Sequence, residues 1–166
     1  MKKNIMIRLL TATLLTSAIA LASPLTLTLQ NSLFNGSGGD TLTFIATATN
    51  TTALTQNLNS DSFTLPSPLT LDDSSYFNLW PLALNSSQTF GPQSLFTVFI
   101  PLSTPLGLYN GSFDMLGGPG ANDQTVLAAA AFQVNVVSGT ATPEPASGLL
   151  VLIGGALIPL GRRYRR

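Results

Sequence analysis

The 166-residue chain contains no cysteine and no histidine, and its seven basic residues all lie near its two ends. Between Arg8 and Arg162 there is no cationic side chain. The body therefore cannot build a Ser-His-Asp or Cys-His nucleophilic site, a Schiff base, an arginine clamp or a zinc site with His or Cys ligands. Without Lys or Arg to contact phosphates, it is predicted to bind no nucleic acid.

The body is acidic, because its only ionisable side chains besides two tyrosines are six aspartates. These are Asp40, Asp61, Asp72, Asp73, Asp114 and Asp123. With no basic side chain, they give residues 23–142 a side-chain charge of −6, although the full chain is neutral. Carboxylate chemistry is the catalytic option left, and a glycosidase-like pair needs two carboxyl groups about 5 to 10 Å apart.

Asp72 and Asp73 are adjacent, in a stretch that is typical of a solvated turn. On a strand, their side chains would point to opposite faces. Asp40 follows two glycines, which indicates a turn, and no EF-hand loop is present. The sequence therefore predicts no catalytic residue, no metal site and no cofactor, and it leaves a carboxylate hydrolase as a less favoured alternative.

The first 22 residues have the organisation of a secretory signal. Lys2, Lys3 and Arg8 precede an apolar stretch of 12 residues, 9–20, and Ala20 and Ala22 complete a small-x-small pattern. A spanning helix needs about 20 residues, which disfavours a retained anchor. The pattern predicts export by the secretion machinery and cleavage by signal peptidase after Ala22. The absence of cysteine agrees with an exported protein that does not rely on disulfides.

The last 26 residues, 141–166, combine three parts. Pro143, Glu144 and Pro145 form a rigid extended motif, residues 148–160 are an uncharged apolar run, and Arg162 and Arg163 begin a cationic end. As a helix, the run would be about 20 Å long, which is short for a bilayer core of about 30 Å. Such a segment is expected to be a transient anchor.

This tail resembles the PEP-CTERM sorting signal of Gram-negative bacteria that make extracellular polysaccharide. In that family, a membrane enzyme called exosortase recognises the tail, removes the apolar helix and passes the protein to the cell surface. The resemblance implies that Pro143, Glu144 and Pro145 are a recognition motif for an exosortase-like enzyme. It also implies transient anchoring in the inner membrane, followed by location at the cell surface or in the extracellular matrix.

Apolar and hydroxyl residues alternate with period two along the body, which is typical of strands with one buried face. Strands are predicted at 25–29, 41–49, 62–65, 95–100, 108–116 and 125–137. The four alanines at 128–131 favour a helix on their own, but the valines around them favour a strand. With Pro and Gly between the runs, residues 23–140 are predicted to be one immunoglobulin-like β-sandwich of about six to eight strands.

Two short stretches resemble parts of secreted immunoglobulin-like modules. Residues 39–44 with Asn50 are similar to a second strand and its following turn, and 105–113 are similar to a late strand. The second resemblance implies that Tyr109 is a corner residue, whose hydroxyl bonds back to the main chain. Glycosylation sequons begin at Asn35, Asn50, Asn85 and Asn110, and they indicate either glycan sites or simply a surface rich in Ser, Thr and Asn.

The favoured hypothesis is an exported, non-enzymatic protein of the cell surface or exopolysaccharide matrix of a biofilm, acting by weak multivalent contact. Its expected partners are the secretion machinery, an exosortase-like enzyme and the exopolysaccharide. The alternative is a carbohydrate-binding module, in which Trp80 and Tyr76 stack on a sugar ring. The apolar neighbours Leu79, Leu82 and Leu84 favour a buried Trp80 instead.

Overall fold

The computed structural model describes residues 23–139, which form nine β-strands and one short helix. In chain order these are β1 (Leu25–Leu29), β2 (Leu33–Gly36), β3 (Thr41–Asn50), β4 (Gln56–Thr64), β5 (Thr70–Asp72), α1 (Ser74–Leu79), β6 (Ala83–Leu84), β7 (Thr89–Phe99), β8 (Gly107–Gly118) and β9 (Thr125–Val136). The first sheet has the order β1-β3-β7-β5, and the second has the order β2-β9-β8-β4-β6. Packed face to face, they confirm the predicted all-β sandwich.

The long strands follow the alternation in the sequence. In β1, Leu25 is buried and lies opposite Asn50, whereas Thr26 and Thr28 point outward and lie opposite Thr49 and Thr47. The four alanines 128–131 belong to β9 and pair with β8, which confirms the strand that was predicted there. Period-two burial, with β-branched and aromatic neighbours, outweighs the helix propensity of alanine at this position.

The strand count of nine exceeds the predicted six to eight, because three short strands carry no clear alternation. β2 pairs in parallel with β9, β5 pairs with the end of β7, and β6 adds two residues to the edge of β4. The prediction also placed β4 too late, at 62–65, since its polar first half does not resemble a strand. The helix α1 was not predicted either, because six residues are too few to display helical periodicity.

Four phenylalanines, two from each sheet, fill the centre of the sandwich. Phe44 stacks on Phe96 at 4.7 Å between ring centroids, and Phe96 stacks on Phe113 at 5.0 Å. Phe132 from β9 lies 4.8 Å from Phe96. Gly111 faces the Phe132 ring, which occupies the space that a Cβ at this position would need. All four rings are fully or almost fully buried, so they bring the two inner faces together without a disulfide.

Tyr109 forms the predicted corner. Its hydroxyl donates a hydrogen bond of 3.0 Å to the carbonyl of Pro105, four residues upstream, and its ring packs against the core. The bond fixes the loop between β7 and β8 to the start of β8, which is the structural role expected of this residue.

Asp40 closes a turn, also as predicted. Its carboxylate accepts hydrogen bonds from the Ser37 backbone N–H at 2.7 Å and from the Ser37 hydroxyl at 3.0 Å. The backbone bond is the main reason why the pKa of Asp40 lies below its usual value.

Candidate functional site

Residues 72–80, which we call the cap, cover an open part of the β7 edge. β5 pairs only with residues 97–99 of β7 and therefore leaves the earlier part of that strand without a strand partner on this side. α1 packs on this part, and the indole Nε1 of Trp80 donates a hydrogen bond of 2.8 Å to the carbonyl of Ser94. Trp80 thereby occupies a strand-edge acceptor that another chain could otherwise bind.

Tyr76 and Trp80, the residues of the alternative sugar site, both lie in the core. Tyr76 is 3% exposed and Trp80 is 6% exposed. The Tyr76 ring meets Phe113 edge-on at 5.8 Å, and its hydroxyl donates a hydrogen bond of 3.2 Å to the carbonyl of Ser60. Neither ring presents a free face in this conformation, so an aromatic sugar platform at these two residues is not formed.

The neighbouring residues Asp72 and Asp73 have different environments. Asp72 is exposed and accepts a hydrogen bond of 2.9 Å from the Ser74 backbone N–H, which is the main cause of its lowered pKa. This is the solvated turn that the sequence predicts. Asp73, at the N-cap of α1, makes no side-chain capping bond and instead lies within hydrogen-bonding reach of the Asp61 carboxyl group. The structure therefore brings together two aspartates that are 12 positions apart in the chain.

Asp61 lies on the inner face of β4, because it pairs with the fully buried Met115 of β8. Burial is the largest cause that raises the pKa of Asp61, to about 6, and the nearby charge of Asp73 raises it further. Burial raises the pKa of Tyr76 as well, and the charge of Asp61 adds to this effect. Asp61, Asp73 and Tyr76 thus form a small titratable cluster between β4 and the cap.

This carboxyl pair was missed by the sequence analysis, since no local motif links Asp61 to Asp73. The two groups lie within hydrogen-bonding reach of each other, which is closer than the separation of about 5 Å or more that acid and nucleophile carboxylates keep in glycosidases. Among residues 23–139, no group of three or more His, Cys, Asp or Glu side chains could hold a metal ion.

The outer face of the second sheet carries a cluster of amide side chains, which we call the amide patch and which consists of Asn35, Asn110, Gln133 and Asn135. Asn135 Nδ2 donates to Asn35 Oδ1 at 2.8 Å, and Gln133 Nε2 donates to Asn110 Oδ1 at 2.8 Å. Asn35 and Asn110 are exposed, and within the described residues neither Nδ2 group donates a hydrogen bond. Leu33 and Leu108 are about half exposed, at 49% and 53%, and they lie opposite Gln133 and Asn135 of the patch.

The outer face of the first sheet is also uncharged over most of its area and carries threonines. Thr28 lies opposite Thr47, and the hydroxyls of Thr49 and Thr89 are 2.9 Å apart. Both outer faces therefore present neutral hydrogen-bonding groups, as expected of a body without cations.

The predicted processing residues lie outside the described part of the chain. These are Ala20 and Ala22 at the signal cleavage site, and Pro143, Glu144, Pro145, Arg162 and Arg163 of the sorting tail. From residue 23 to residue 139, the structure contains no helix with the length and apolar character needed to cross a bilayer.

No family model matches the chain, and no curated protein matches its sequence. Similar solved structures include native α-2-macroglobulin of E. coli, which matches 70% of this chain at 20% identity with a TM-score of 0.46. The MSP family member WR4 of C. elegans matches 68% at 9% identity with a TM-score of 0.37. The seventh ScaB type I cohesin of Pseudobacteroides cellulosolvens matches 73% at 9% identity with a TM-score of 0.34. The chain spans 7% of the α-2-macroglobulin and 97% of each of the other two.

Proposed function

We propose that this protein is an exported, non-enzymatic component of the cell surface or the exopolysaccharide matrix, with a structural or adhesive role. The observation that carries the proposal is the amide patch, because it is exposed, uncharged and still offers hydrogen-bonding groups. A neutral polysaccharide presents hydroxyl groups that match such donors and acceptors. Each contact of this kind is weak, and retention in a matrix would arise from many copies binding along one polymer.

The finer fold within this proposal is immunoglobulin-like. The order β1-β3-β7-β5 corresponds to the A-B-E-D sheet of that fold, and β9-β8-β4 corresponds to G-F-C. The Tyr109 corner at the start of β8 supports the same correspondence. In such a sandwich the outer faces are free for contacts, so adhesion needs no enclosed cleft.

Glycan contact is assigned to the amide patch and not to Trp80 and Tyr76, because those two rings are buried in the core. Leu33 and Leu108, beside the amides, would cover the apolar C–H face of a sugar ring, while the amides bond its hydroxyls. This division between apolar and polar contacts is how sites for small polar ligands usually combine affinity with orientation.

Delivery to the matrix is proposed to follow from the two ends of the chain. The segment 1–22 would direct export, and the tail 141–166, which resembles a PEP-CTERM signal, would hold the protein in the inner membrane until an exosortase-like enzyme cuts it. Glu144, between Pro143 and Pro145, is the one charged residue of the recognition motif.

The sorting step is tested by the intact mass of the extracellular protein from its native host. Wild type should lack residues 1–22 and the residues beyond about Pro145, whereas Glu144→Ala should keep its tail and stay in the membrane. Asp114→Ala, which removes a carboxylate from an outer sheet face, is the matched control and should be processed normally. A wild-type protein that keeps its tail outside the cell would contradict the sorting proposal.

The adhesive role is tested by electrophoresis through gels that contain the host exopolysaccharide. The polysaccharide should retard wild type, and a double change of Asn110→Ala with Gln133→Ala should abolish the retardation. The control is Thr28→Ala with Thr47→Ala, an equally exposed cross-strand pair on the opposite sheet, which should migrate like wild type. Equal retardation of both double variants would refute the amide patch as the binding face and leave the sorting proposal intact.

A further inference from the structure

The carboxyl pair of Asp61 and Asp73 places two acidic groups within hydrogen-bonding reach of each other at a partly buried position. Asp61 faces the interior of the sandwich beside Met115, and Asp73 begins the helix that covers it. Elsewhere, such a pair is commonly balanced by a Lys, Arg or His, but none occurs between Arg8 and Arg162. Two ionised carboxylates here would repel each other with no cation of the body to compensate.

The hydrogen bonds around Asp61 lead to the same conclusion. Its Oδ2 atom is buried and has no hydrogen-bond partner among the described residues. The Tyr76 hydroxyl of the cap, which is close enough for the charge of Asp61 to raise its pKa, already donates its proton to the Ser60 carbonyl. Since ionised carboxylates only accept hydrogen bonds, the two aspartates can bond to each other only when one of them carries a proton.

The groups that face Asp61 come from a single side. Asp73 and Tyr76 belong to the cap, while Asp114 of the neighbouring β8 lies on the opposite, outer face of the sheet. Asp72 points to solvent and bonds its own turn. Protonation of the pair is therefore controlled by its burial and by the two acids themselves.

We propose that Asp61 and Asp73 form a pH-sensitive latch, which holds the cap closed on β4 while they share a proton and loosens the cap when both are ionised. Opening would separate Asp73 and Tyr76 from β4, and it would withdraw the Trp80 indole from the Ser94 carbonyl at the edge of β7. The latch would thus couple the acidity of the surroundings to the exposure of two aromatic rings and one strand edge. This inference does not depend on the sorting tail or on the amide patch.

The test uses the indole N–H of Trp80, because it is the only tryptophan of the chain and gives a single indole signal. We would measure its hydrogen-exchange protection by NMR in the full-length protein in a neutral detergent, corrected for the intrinsic pH dependence of exchange. Because burial raises the pKa of folded Asp61 to about 6, the opening constant should rise by up to about tenfold per pH unit between about pH 4 and 6. Above that range it should level off.

Three variants make the test specific. Asp61→Asn removes the ionisable group at the centre of the pair and should keep Trp80 protected at every pH. Asp73→Asn removes the partner, should shift the midpoint to lower pH, and serves as the readout if Asp61→Asn fails to fold. Asp114→Asn deletes a carboxylate from the outer face of the adjacent strand and should behave like wild type. A pH-independent protection in wild type, or an unchanged transition in the folded Asp61 and Asp73 variants, would overturn the latch.

Local opening is separated from global unfolding by the backbone amides at the centre of β8. The latch requires the opening free energy at the Trp80 indole to be smaller than that at these amides at every pH, because ionisation of Asp61 lowers the stability against both events alike. Equal opening free energies at both places would mean that the indole is exposed only by unfolding of the whole sandwich and that the cap is not a separate device.

Discussion

Asn50 gives the sharpest prediction about stability, because this one side chain joins three segments at the end of β3. It is fully buried, and its Nδ2 lies 2.8 Å from the carbonyl oxygen of Leu54, 2.9 Å from that of Leu84 and 3.1 Å from that of Asn85. Its Oδ1 accepts hydrogen bonds from the backbone N–H and the hydroxyl of Thr52, at 2.9 and 2.8 Å. The turn after β3 and the loop after β6 therefore depend on the same amide.

Asn50→Ala should lower the free energy of unfolding by about 3 kcal/mol. The variant leaves the buried Leu84 carbonyl without a donor, which costs about 1 to 3 kcal/mol. The other bonds are only partly buried, so water replaces them at a net cost of about 0.5 to 1 kcal/mol each, and some of that cost is recovered by relaxation of the turn. A loss of this size is a substantial part of the roughly 5 to 15 kcal/mol that stabilises a typical domain.

The assay is equilibrium unfolding in urea, followed by Trp80 fluorescence and by circular dichroism. Asn85→Ala is the matched control. The Asn85 side chain is exposed and accepts a hydrogen bond of 3.3 Å from the Thr55 hydroxyl. Its loss should lower the free energy of unfolding by less than about 0.5 kcal/mol. Asn50→Asp keeps the oxygen that accepts from Thr52 but replaces two donors by a negative charge facing carbonyl oxygens. It should be at least as destabilising as Asn50→Ala at pH 7 and recover partly in acid.

The reasoning would be refuted by a loss below about 1 kcal/mol for Asn50→Ala, or by an equal loss for Asn85→Ala. Burial of Asn50 also predicts that its sequon stays unmodified in the folded protein, unlike the exposed sequons at Asn35 and Asn110.

Three further predictions concern single side chains. Trp80→Phe keeps most of the packing but removes the donor to the Ser94 carbonyl, so it should cost about 1 to 2 kcal/mol in urea unfolding. Tyr109→Phe deletes the bond to Pro105 at an exposed corner and should cost about 0.5 to 1.5 kcal/mol in the same assay. Because the pKa of Asp61 is about 6 in the folded protein and an unperturbed aspartate has a pKa of 3.8, the folded state holds a proton that the unfolded chain releases. The free energy of unfolding of wild type should therefore fall as pH rises from about 4 to 6, and Asp61→Asn should remove this fall.

The class of the fold could be predicted from the sequence because strand alternation is a local pattern. Leu25, Leu27 and Leu29 alternate with threonines, and this period alone indicates one buried and one exposed face. The Tyr109 corner and the Asp40 turn were predictable for the same reason, since each bond connects residues only three or four positions apart.

The short elements could not be predicted in this way. β2 exists because β9 lies beside it, although the two are about 100 residues apart in the chain. β5 and β6 likewise form by pairing with the longer strands β7 and β4. The backbones of these short strands pair with N–H and C=O groups that the longer strands would otherwise leave unpaired. Each short strand has too few residues to show a hydrophobic period of its own.

For the candidate sites too, some properties could be predicted from the sequence and others required the tertiary structure. By its composition alone, the sequence determined that the body has no cation, and hence which kinds of active site it cannot build. Only the tertiary structure decided that Trp80 and Tyr76 are buried, that Asp61 meets Asp73, and that four amides from β2, β8 and β9 share one surface. Composition and hydrophobic period can be read directly from the order of residues in the chain. Burial and side-chain contact depend instead on which distant strands pair, and this pairing is set by the packing of the whole core.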